Sequence, residues 1–368
     1  MVLMGQSPPG ASCNDAGLGD PLLNGPTEFG SRHPTPKQWT TDSRRMCREN
    51  AVLLCVRGST TGRTNRSDRS YAIGRGVAAI EVGDLSDQTY VYYALLSRLD
   101  ALLEKTTGSV FPNLSQDDIG SLPVPWPPSG TRRAIAEVLG ALDDKIEANR
   151  RVADRCEGLA QSLAALHPAS TVVGAMAAVR RQMVSPKSFV DSDVEHFSLP
   201  AFDARGLPVV EPASAIKSGK FLLEAPAVLV SKLNPHIPRV WMAEPSARRP
   251  ALTSTEFVVL VPEGAVGVEA LWAICSSPRF TAQLVERVKG TTGSHQRVAP
   301  EDVLSIEVPD PESFSLATSD TMAGAVQLAT SLKRESSALG AIRDALLPKL
   351  LSGELRVRDA ETLVEDTV

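Results

Sequence analysis

Residues 134–151 read A-I-A-E-V-L-G-A-L-D-D-K-I-E-A-N-R-R, with apolar side chains set at regular intervals among charged ones. This stretch belongs to a longer series in which apolar or small residues recur at alternating steps of four and three. Such spacing is typical of a coiled-coil seam, because one side of the helix must stay apolar to meet a partner helix. The positions of this first seam are Ile135, Leu139, Leu142, Ile146, Asn149, Ala153, Cys156, Ala160 and Leu163.

A second seam lies near the end of the chain, before Pro348 and Gly353. The two seams can cover each other, which predicts an antiparallel pair of long helices over residues 131–167 and 317–351. With the helix centres aligned, residue numbers that face each other add to about 484. The positions of the second seam are Ala325, Leu328, Leu332, Glu335, Leu339, Ile342 and Leu346.

Each seam has one polar member, Asn149 in the first and Glu335 in the second, and their numbers add to 484. We expect the two to meet and fix the register of the helix pair, as buried polar residues do in coiled coils. The alternative is that each side chain faces water or a partner subunit.

The seams are part of an internal repeat. K-T-T-G-S at 105–109 returns as G-T-T-G-S 185 residues later, and Q-D-D-I-G-S-L-P-V-P-W-P at 116–127 resembles residues 300–311 at a spacing of 184. Further upstream, A-V-L-L-C-V-R at 51–57 resembles A-V-L-V-S-K-L at 227–233 at a spacing of 176. Three matches in the same order indicate two copies of one unit.

Short β-rich runs separated by Gly, Pro, Asn and Ser precede each helix, which predicts an α+β globule in each copy. The expected fold is therefore α+β, with two globular domains separated by an antiparallel pair of long coiled-coil helices and related by a pseudo-two-fold repeat. The expected divisions are 1–127 for the first globule, 128–185 for a central spacer helix, 186–310 for the second globule, 311–356 for a distal spacer helix and 357–368 for an acidic, solvated tail.

Composition excludes several classes of protein. The net charge of −5 is not that of a uniformly basic nucleic-acid coat. Five scattered cysteines without a C-x-x-C pair fit neither a disulfide framework nor a zinc site, so a reducing cytoplasm is the expected location. No apolar run reaches the roughly 18 residues of a membrane span.

Positive charge is concentrated in both globules. Residues 32–75 hold ten cations and three acids, and residues 205–249 hold seven cations and three acids. Nine of the first ten cations are arginines, whose planar fork suits phosphates and the guanine edge. Recurrence in both copies favours two DNA-binding surfaces over the alternative of a merely solvated basic face.

Motifs of catalysis are missing from the sequence. There is no G-x-G-x-x-G after a strand, no H-E-x-x-H and no G-x-S-x-G, and the five histidines have no metal-ligand spacing. We therefore expect no catalytic residue, no bound metal and no cofactor, and a protein that reads or scaffolds rather than an enzyme.

The order of motifs resembles the specificity subunits of type I restriction-modification systems. The first half has M-G-Q-S-P-P-G (4–10), V-R-G-S-T-T-G-R (56–63), A-I-G-R-G (72–76) and the helix motif at 134–151. The second half has V-S-K-L-N-P (230–235), G-T-T-G-S-H-Q-R-V (290–298) and R-D-A-L-L-P-K-L-L-S-G-E (343–354). The similarity covers nearly the whole chain.

The resemblance implies a non-catalytic subunit with two target recognition domains, each reading one half of a split double-stranded DNA sequence, while the helix pair fixes the gap. It also implies that methyltransferase (modification) subunits bind the helices and that a restriction motor-nuclease subunit joins the assembly. Members of the family usually carry a further segment with a strand ahead of M-G-Q-S-P. The first domain is therefore expected to be clipped or to start upstream.

Two functions remain open at this point. The first is a DNA-sequence reader and assembly platform, and the second is a coiled-coil scaffold or degenerate specificity subunit that no longer reads DNA. For partner binding we choose Val152 and Leu159, which lie beside the first seam and leave apolar surface exposed. For DNA contact we choose Arg57, Arg63, Arg66, Arg69 and Arg75 in the first copy, and Lys232, Asn234, His236, Arg239, Ser294, His295, Gln296 and Arg297 in the second.

Overall fold

A computed structural model describes residues 1–106, 112–189, 191–288 and 296–365. Its first part is mainly β-structure followed by one long helix. The elements in chain order are β1 (Val2–Met4), β2 (Cys13–Asn14), β3 (Asp20–Leu23), β4 (Gln38–Thr40), β5 (Met46–Cys47), β6 (Val52–Cys55), β7 (Thr64–Arg66), β8 (Tyr71–Ile73), β9 (Val77–Ile80), α1 (Leu85–Ser97), α2 (Leu99–Leu103), α3 (Gln116–Gly120) and α4 (Ser129–Ala165).

The second part repeats this sequence of elements and ends in a second long helix and a short one. The elements are β10 (Ala169–Val172), β11 (Ala177–Arg180), β12 (Met183–Val184), β13 (Asp193–Phe197), α5 (Leu199–Arg205), β14 (Val209–Pro212), β15 (Lys220–Leu223), β16 (Ala227–Ser231), β17 (Val240–Ala243), β18 (Ala251–Thr253), β19 (Phe257–Pro262), α6 (Val268–Cys275), α7 (Pro278–Glu286), α8 (Pro300–Leu304), β20 (Glu307–Pro309), α9 (Leu316–Ser352) and α10 (Val357–Glu365).

The chain divides into two compact units. Unit 1 comprises Met1–Glu147 together with Leu339–Val368, and unit 2 comprises Ala148–Ala338. The division falls inside both long helices, so each helix contributes one part to each unit. The α+β class and the two long helices expected from the sequence are thereby confirmed.

The two units contain corresponding sheets, which agree in all strands of the four-stranded sheet and in four strands of the five-stranded sheet. The fifth strand of the latter is β2 beside β4 in unit 1 and β12 beside β15 in unit 2. Unit 1 has a four-stranded antiparallel sheet in the order β1-β9-β6-β7, and unit 2 has its counterpart β11-β19-β16-β17. Each unit also has a five-stranded sheet with one parallel pair, β3 with β8 in unit 1 and β13 with β18 in unit 2. The repeat that the sequence predicts is therefore a repeat of strand order.

In unit 1 the two long helices share one apolar core. The seam residues Ile135, Leu139, Leu142 and Ile146 of α4 are buried in one cluster with Leu346 and its neighbours on α9 and with Tyr90 and Tyr93 of α1. Because the cluster takes side chains from both helices and from the globule, the helix pair and the globule of this unit stabilise each other.

Asp143 is the polar anchor of that core. Its Oδ1 accepts a hydrogen bond from Nη1 of Arg343 at 2.5 Å, and its Oδ2 accepts one from the hydroxyl of Tyr93 at 2.7 Å. Burial and the charge of Asp143 raise the pKa of Tyr93, and Asp143 keeps the pKa of Arg343 high although burial alone would lower it. The carboxylate of Asp143, on α4, is thus hydrogen-bonded to both α1 and α9.

In unit 2 the helix α4 buries small residues against the globule and α9. Ala160 and Ala164 of α4 lie in one cluster with Met322 and Val326 of α9 and with the core of the globule. Leu328, which the sequence places on the seam, is instead 47% exposed, because the buried face of α9 follows the helical turn through Ala325, Val326 and Ala329.

Asn149 is buried in the seam, but its amide nitrogen has no hydrogen-bond partner in the part of the chain that the structure describes. It therefore donates no hydrogen bond to Glu335, which is half-buried. An unsatisfied buried amide of this kind costs about 1–3 kcal/mol. Register in unit 1 is set by the Asp143–Arg343 pair, whose numbers add to 486, and the pairing of Asn149 with Glu335 remains a prediction.

The prediction of a central spacer helix over 128–185 is wrong for its C-terminal part. The helix ends at Ala165, and residues 169–184 form strands β10, β11 and β12. Pro168 explains the break, because a proline restricts the residue before it and cannot donate to a helix. The β-branched run that follows pairs with β20 and β19, so the second globule begins at Ala169 rather than at 186.

The C-terminal segment also differs from the expectation of a solvated tail over 357–368. The helix α9 continues past Pro348 to Ser352 and ends at Gly353, whose φ of 77° is a conformation that glycine adopts readily. Residues Val357–Glu365 then form α10, and Ala360 is fully buried in the core cluster of unit 1.

Replacing Arg343 with Met should lower the free energy of unfolding by about 2–3 kcal/mol, because it leaves the Asp143 carboxylate, which is only 14% exposed, without its cation. Urea unfolding of the full chain measures the change. The control is Arg334→Met. The Arg334–Glu244 pair is 56% and 31% exposed, and losing it should cost less than about 1 kcal/mol. Equal losses in the two variants would contradict the anchoring role of Asp143.

Candidate nucleic-acid interface

One end of each four-stranded sheet carries the same backbone arrangement. In unit 1, Val56 follows β6; its N–H donates to the carbonyl of Gly76 at 2.9 Å, and its carbonyl accepts from the N–H of Leu114 at 3.0 Å. In unit 2, Lys232 follows β16 and makes the same two bonds, to the carbonyl of Glu256 at 2.9 Å and from the N–H of Val298 at 3.1 Å. We call this arrangement the sheet-end frame.

The frame presents different side chains in the two units. Isolated β-bridges join Arg57 to Asn113 in unit 1 and Leu233 to Arg297 in unit 2, so these residues occupy equivalent positions. The equivalents of Val56, Gly76 and Asn113 are accordingly Lys232, Glu256 and Arg297. A fixed backbone that carries variable polar side chains is the usual construction of a recognition surface.

Three of the five arginines chosen in the first copy lie at this end of the sheet. Arg57 leaves β6, Arg63 enters β7 and Arg75 enters β9, and all three are exposed. The bonds from the N–H of Cys55 to the carbonyl of Arg63 and from Nε of Arg75 to Ser7 hold two of them in place. The three cations form one exposed group.

The M-G-Q-S-P motif also lies at this end. The N–H of Gly5 donates to the carbonyl of Val77 at 2.9 Å, immediately after β1. A Cβ at Gly5 would stand 2.1 Å from the carbonyl oxygen of Gly74, so only glycine allows the two segments to approach this closely. Ser7, two residues further on, can then reach Arg75.

Arg66 does not belong to this surface, which corrects the sequence-based choice. It pairs with Val52 at the opposite end of β6 and is 8% exposed. Its Nη2 donates to the hydroxyl of Thr89 at 3.0 Å, and its guanidinium lies over the ring of Tyr92. Burial and these contacts make it a packing residue of unit 1.

Arg69 is exposed but lies at that same opposite end of the sheet. Its guanidinium is 5.4 Å from the centre of the Tyr71 ring, and the loop that carries it is bound to the start of β6 through the N–H of Ser67 and the carbonyl of Ala51. Arg69 is therefore separate from the exposed group of Arg57, Arg63 and Arg75.

In unit 2 the frame carries a charge cluster. Arg297 donates from Nε and Nη2 to the two carboxylate oxygens of Glu256, both at 3.1 Å. Lys232 is half-buried near this pair and Arg181. Burial lowers the pKa of Lys232, the charge of Glu256 raises it, and the charges of Arg181 and Arg297 lower it further. Arg181 itself donates to Glu301 at 3.0 Å.

The other residues chosen in the second copy have varied surroundings. The N–H of Asn234 donates to the carbonyl of Gln296, which places both beside the frame, and His236 is exposed. Arg239 is bound to Asp203 through two hydrogen bonds of 2.6 and 2.8 Å, so its charge is already paired with a carboxylate. Ser294 and His295 lie outside the described residues.

Among the described residues, no group of three or more His, Cys, Asp or Glu side chains could hold a metal ion. The same part of the chain contains no helix that is long and apolar enough to cross a membrane. The chemistry of the site is therefore that of arginine, lysine, amide and carboxylate groups on a rigid backbone.

Residues 40–155 match the family model of the type I restriction modification DNA specificity domain. This part of the chain is a type I restriction-modification DNA specificity domain. The matched residues include the sheet-end frame of unit 1 and most of α4. The resemblance predicted from the order of motifs is confirmed.

Individual proteins are also similar to this chain. The specificity subunit of the type I restriction enzyme MjaX from Methanocaldococcus jannaschii is 34% identical over 157 residues, which are 42% of this chain and 37% of that relative. The S subunit of M. genitalium has a crystal structure that is 18% identical, with a TM-score of 0.58 over 95% of this chain and 93% of the other. The HsdS subunit of Thermoanaerobacter tengcongensis is 15% identical, with a TM-score of 0.34 and 94% of each chain covered. The M. genitalium likeness shows a shared fold.

Reasoning from sequence missed Glu256 and Arg181. A count of cations does not detect an acid such as Glu256. Aligning β9 with β19 shows that Glu256 occupies the position in unit 2 that Gly76 occupies in unit 1. Arg181 could have been found from Q-M-V-S-P at 182–186, which resembles the Q-S-P of the first copy. Both residues emerge only when the repeat is aligned strand by strand.

The helix α4 also presents an apolar stripe. Val152 and Leu159 are 43% and 46% exposed and lie seven residues apart, on one side of the helix, and Leu166, the residue after the end of α4, is 78% exposed. Exposed aliphatic residues in such a row differ from singly scattered ones, because they form a continuous surface that a partner can cover.

Arg66→Ala should lower the free energy of unfolding by about 1–2 kcal/mol, since it removes a buried hydrogen bond and a stacking contact. Arg57→Ala, as the matched control at the exposed end, should change it by less than about 0.5 kcal/mol. Urea titrations of the two variants and the parent give both values. An unchanged stability of the Arg66→Ala protein would contradict the packing role of this residue.

Proposed function

We propose that the protein is the DNA-recognition subunit of a type I restriction-modification enzyme and reads a bipartite target, one half with each unit. The observation that carries this proposal is the sheet-end frame, which occurs twice with the same backbone bonds and different side chains. Two such surfaces would read two different half-sequences, whereas a surface needed only for folding would have no reason to vary in charge.

The chemistry of the two surfaces suits double-stranded DNA. Arg57, Arg63 and Arg75 form a cationic group suited to phosphates, which supply most of the sequence-independent affinity. Arg297 and Gln296 have the side chains that make bidentate contacts to guanine and adenine in the major groove. Asn234, Lys232 and His236 surround that second surface.

In this proposal catalysis belongs to other subunits, because the sequence carries none of the catalytic motifs that were sought. The exposed stripe of Val152, Leu159 and Leu166 is proposed as the docking surface for modification subunits. The restriction motor-nuclease subunit would join the assembly that these subunits form. The protein would then act as both reader and scaffold.

A second candidate function is a scaffold that no longer reads DNA. It is favoured by one observation, the neutralisation of unit 2 cations: Arg181, Arg239 and Arg297 each bind a carboxylate. A surface whose charges cancel has little general affinity for phosphates. A duplex-binding assay on the chain assembled with its modification subunit separates the two candidates.

Arg57→Ala and Arg63→Ala should each weaken binding of the assembled complex to all duplexes alike and lower the slope of log affinity against log salt by about one. Fluorescence anisotropy with a specific and an unrelated duplex over a salt series gives both quantities. Arg69→Ala is the control, because that arginine lies at the other end of the sheet. Unchanged slopes in both variants, or a change in the control alone, would contradict the proposed phosphate contacts.

Val152→Asp combined with Leu159→Asp should abolish or strongly weaken binding of the modification subunit, since two charges would have to be buried in an apolar contact. Size-exclusion chromatography of the co-produced subunits shows the loss, and circular dichroism checks that the fold is intact. Val285→Asp on α7, at 39% exposure, is the matched control. A stable complex with the folded double variant would place the docking surface elsewhere.

A further inference from the structure

The ion pair between Arg297 and Glu256 leaves one edge of the guanidinium group available. Arginine has five N–H donors in a planar fork. Nε and one hydrogen of Nη2 are directed at the carboxylate, at 3.1 Å each. The remaining edge, formed by Nη1 and the second hydrogen of Nη2, points away from Glu256 because the fork is planar.

Both members of the pair are attached to fixed backbone. The carbonyl of Glu256 accepts from the N–H of Lys232, and Arg297 forms a β-bridge with Leu233. The side chains nevertheless remain accessible, at 51% for Arg297 and 32% for Glu256. Exposed pairs of this kind contribute little to the stability of a fold, so stability does not account for the arrangement.

The charges indicate which part of a duplex the pair would meet. A carboxylate next to an arginine cancels its attraction for phosphates and repels the backbone of DNA. It does not impede a hydrogen-bonded contact to a base edge. By holding the fork in one orientation it also reduces the entropy lost when that contact forms.

We propose that Glu256 is a positioning residue that holds the fork of Arg297 for a guanine in the half-sequence read by unit 2. The free edge of the fork matches the O6 and N7 acceptors of guanine. The inference rests on the proposed function of DNA recognition. It deepens that function by assigning one base and by giving an acidic residue a role in reading it.

Unit 1 provides an internal comparison. Its frame has Gly76 where unit 2 has Glu256, and Asn113 where unit 2 has Arg297. An ion pair between an arginine and a carboxylate therefore cannot form at those positions of unit 1. The two halves of the target should differ at the base that this part of the frame meets, with the held guanine contact confined to the half read by unit 2.

The test uses the full chain co-produced with its modification subunit and a library of duplexes with randomised sequence. Bound duplexes are sequenced for the parent, Arg297→Ala, Glu256→Gln and the control Glu244→Gln. Glu244 suits this purpose because its pair with Arg334 has nearly the same exposures, 31% and 56%, and contains no residue of the frame.

Arg297→Ala should reduce preference for one guanine by about 5- to 100-fold, the range of a bidentate base contact. Glu256→Gln should reduce preference for the same guanine by about 2- to 5-fold, the size of an exposed ion pair. It should also raise affinity for all duplexes, because a negative charge has been removed from the surface. A purely structural residue would lower affinity instead and would not change one base position.

The possible failures are distinguishable. If the parent complex selects no sequence at all, the proposed function itself is overturned. If it selects a bipartite sequence that Arg297→Ala leaves unchanged, Arg297 is not a reading residue and the positioning role is lost with it. If Arg297→Ala relaxes a guanine but Glu256→Gln has no effect there, relaxes a cytosine instead, or matches Glu244→Gln, the positioning role alone is overturned.

Discussion

The apolar seam of the two long helices is the constraint on which the rest of the structure depends. A helix of 37 residues with one apolar face has no stable existence alone in water, and the chain contains two such helices of equal length. Each helix buries its apolar face against the other helix and against a globule. In unit 1 the seam merges with α1 around Asp143, and in unit 2 small residues let the helices approach the core around Met322 and Val326. Each unit thus has one core cluster that the globule shares with the helix pair.

In the sheet-end frame the main chain makes the supporting hydrogen bonds, and the side chains are free to differ. Its bonds are made by main-chain N–H and carbonyl groups, which every residue except proline can supply. The side chains at those positions are therefore released from any role in holding the frame together. The exchange of Gly76 for Glu256, or of Asn113 for Arg297, changes what the surface recognises without removing a bond that supports it.

How well the sequence predicted a feature depends on how far apart in sequence the interacting residues lie. Both long helices, predicted over 131–167 and 317–351, were located to within two residues at each end, because the seam spacing is local. The strands after Pro168 were missed because β10 and β11 gain their stability from β20 and β19, at least 79 residues away in sequence. In the candidate site, arginines could be counted but not located: Arg57 and Arg66 are nine residues apart, yet pairing of β6 with β7 puts them at opposite ends of a sheet. Glu256 and Arg297 are distant in sequence and meet only through strand pairing.

The discontinuity of unit 1 has a consequence for the order in which the protein is made. Unit 2 is one uninterrupted segment and has all its residues once Ala338 has been synthesised, whereas unit 1 also requires Leu339–Val368. Until that last segment leaves the ribosome, the buried face of α4 at Ile135, Leu139 and Leu142 has no partner helix, and exposed apolar surface of this kind is prone to aggregate. Unit 1 thus begins to be made before unit 2 and is completed after it.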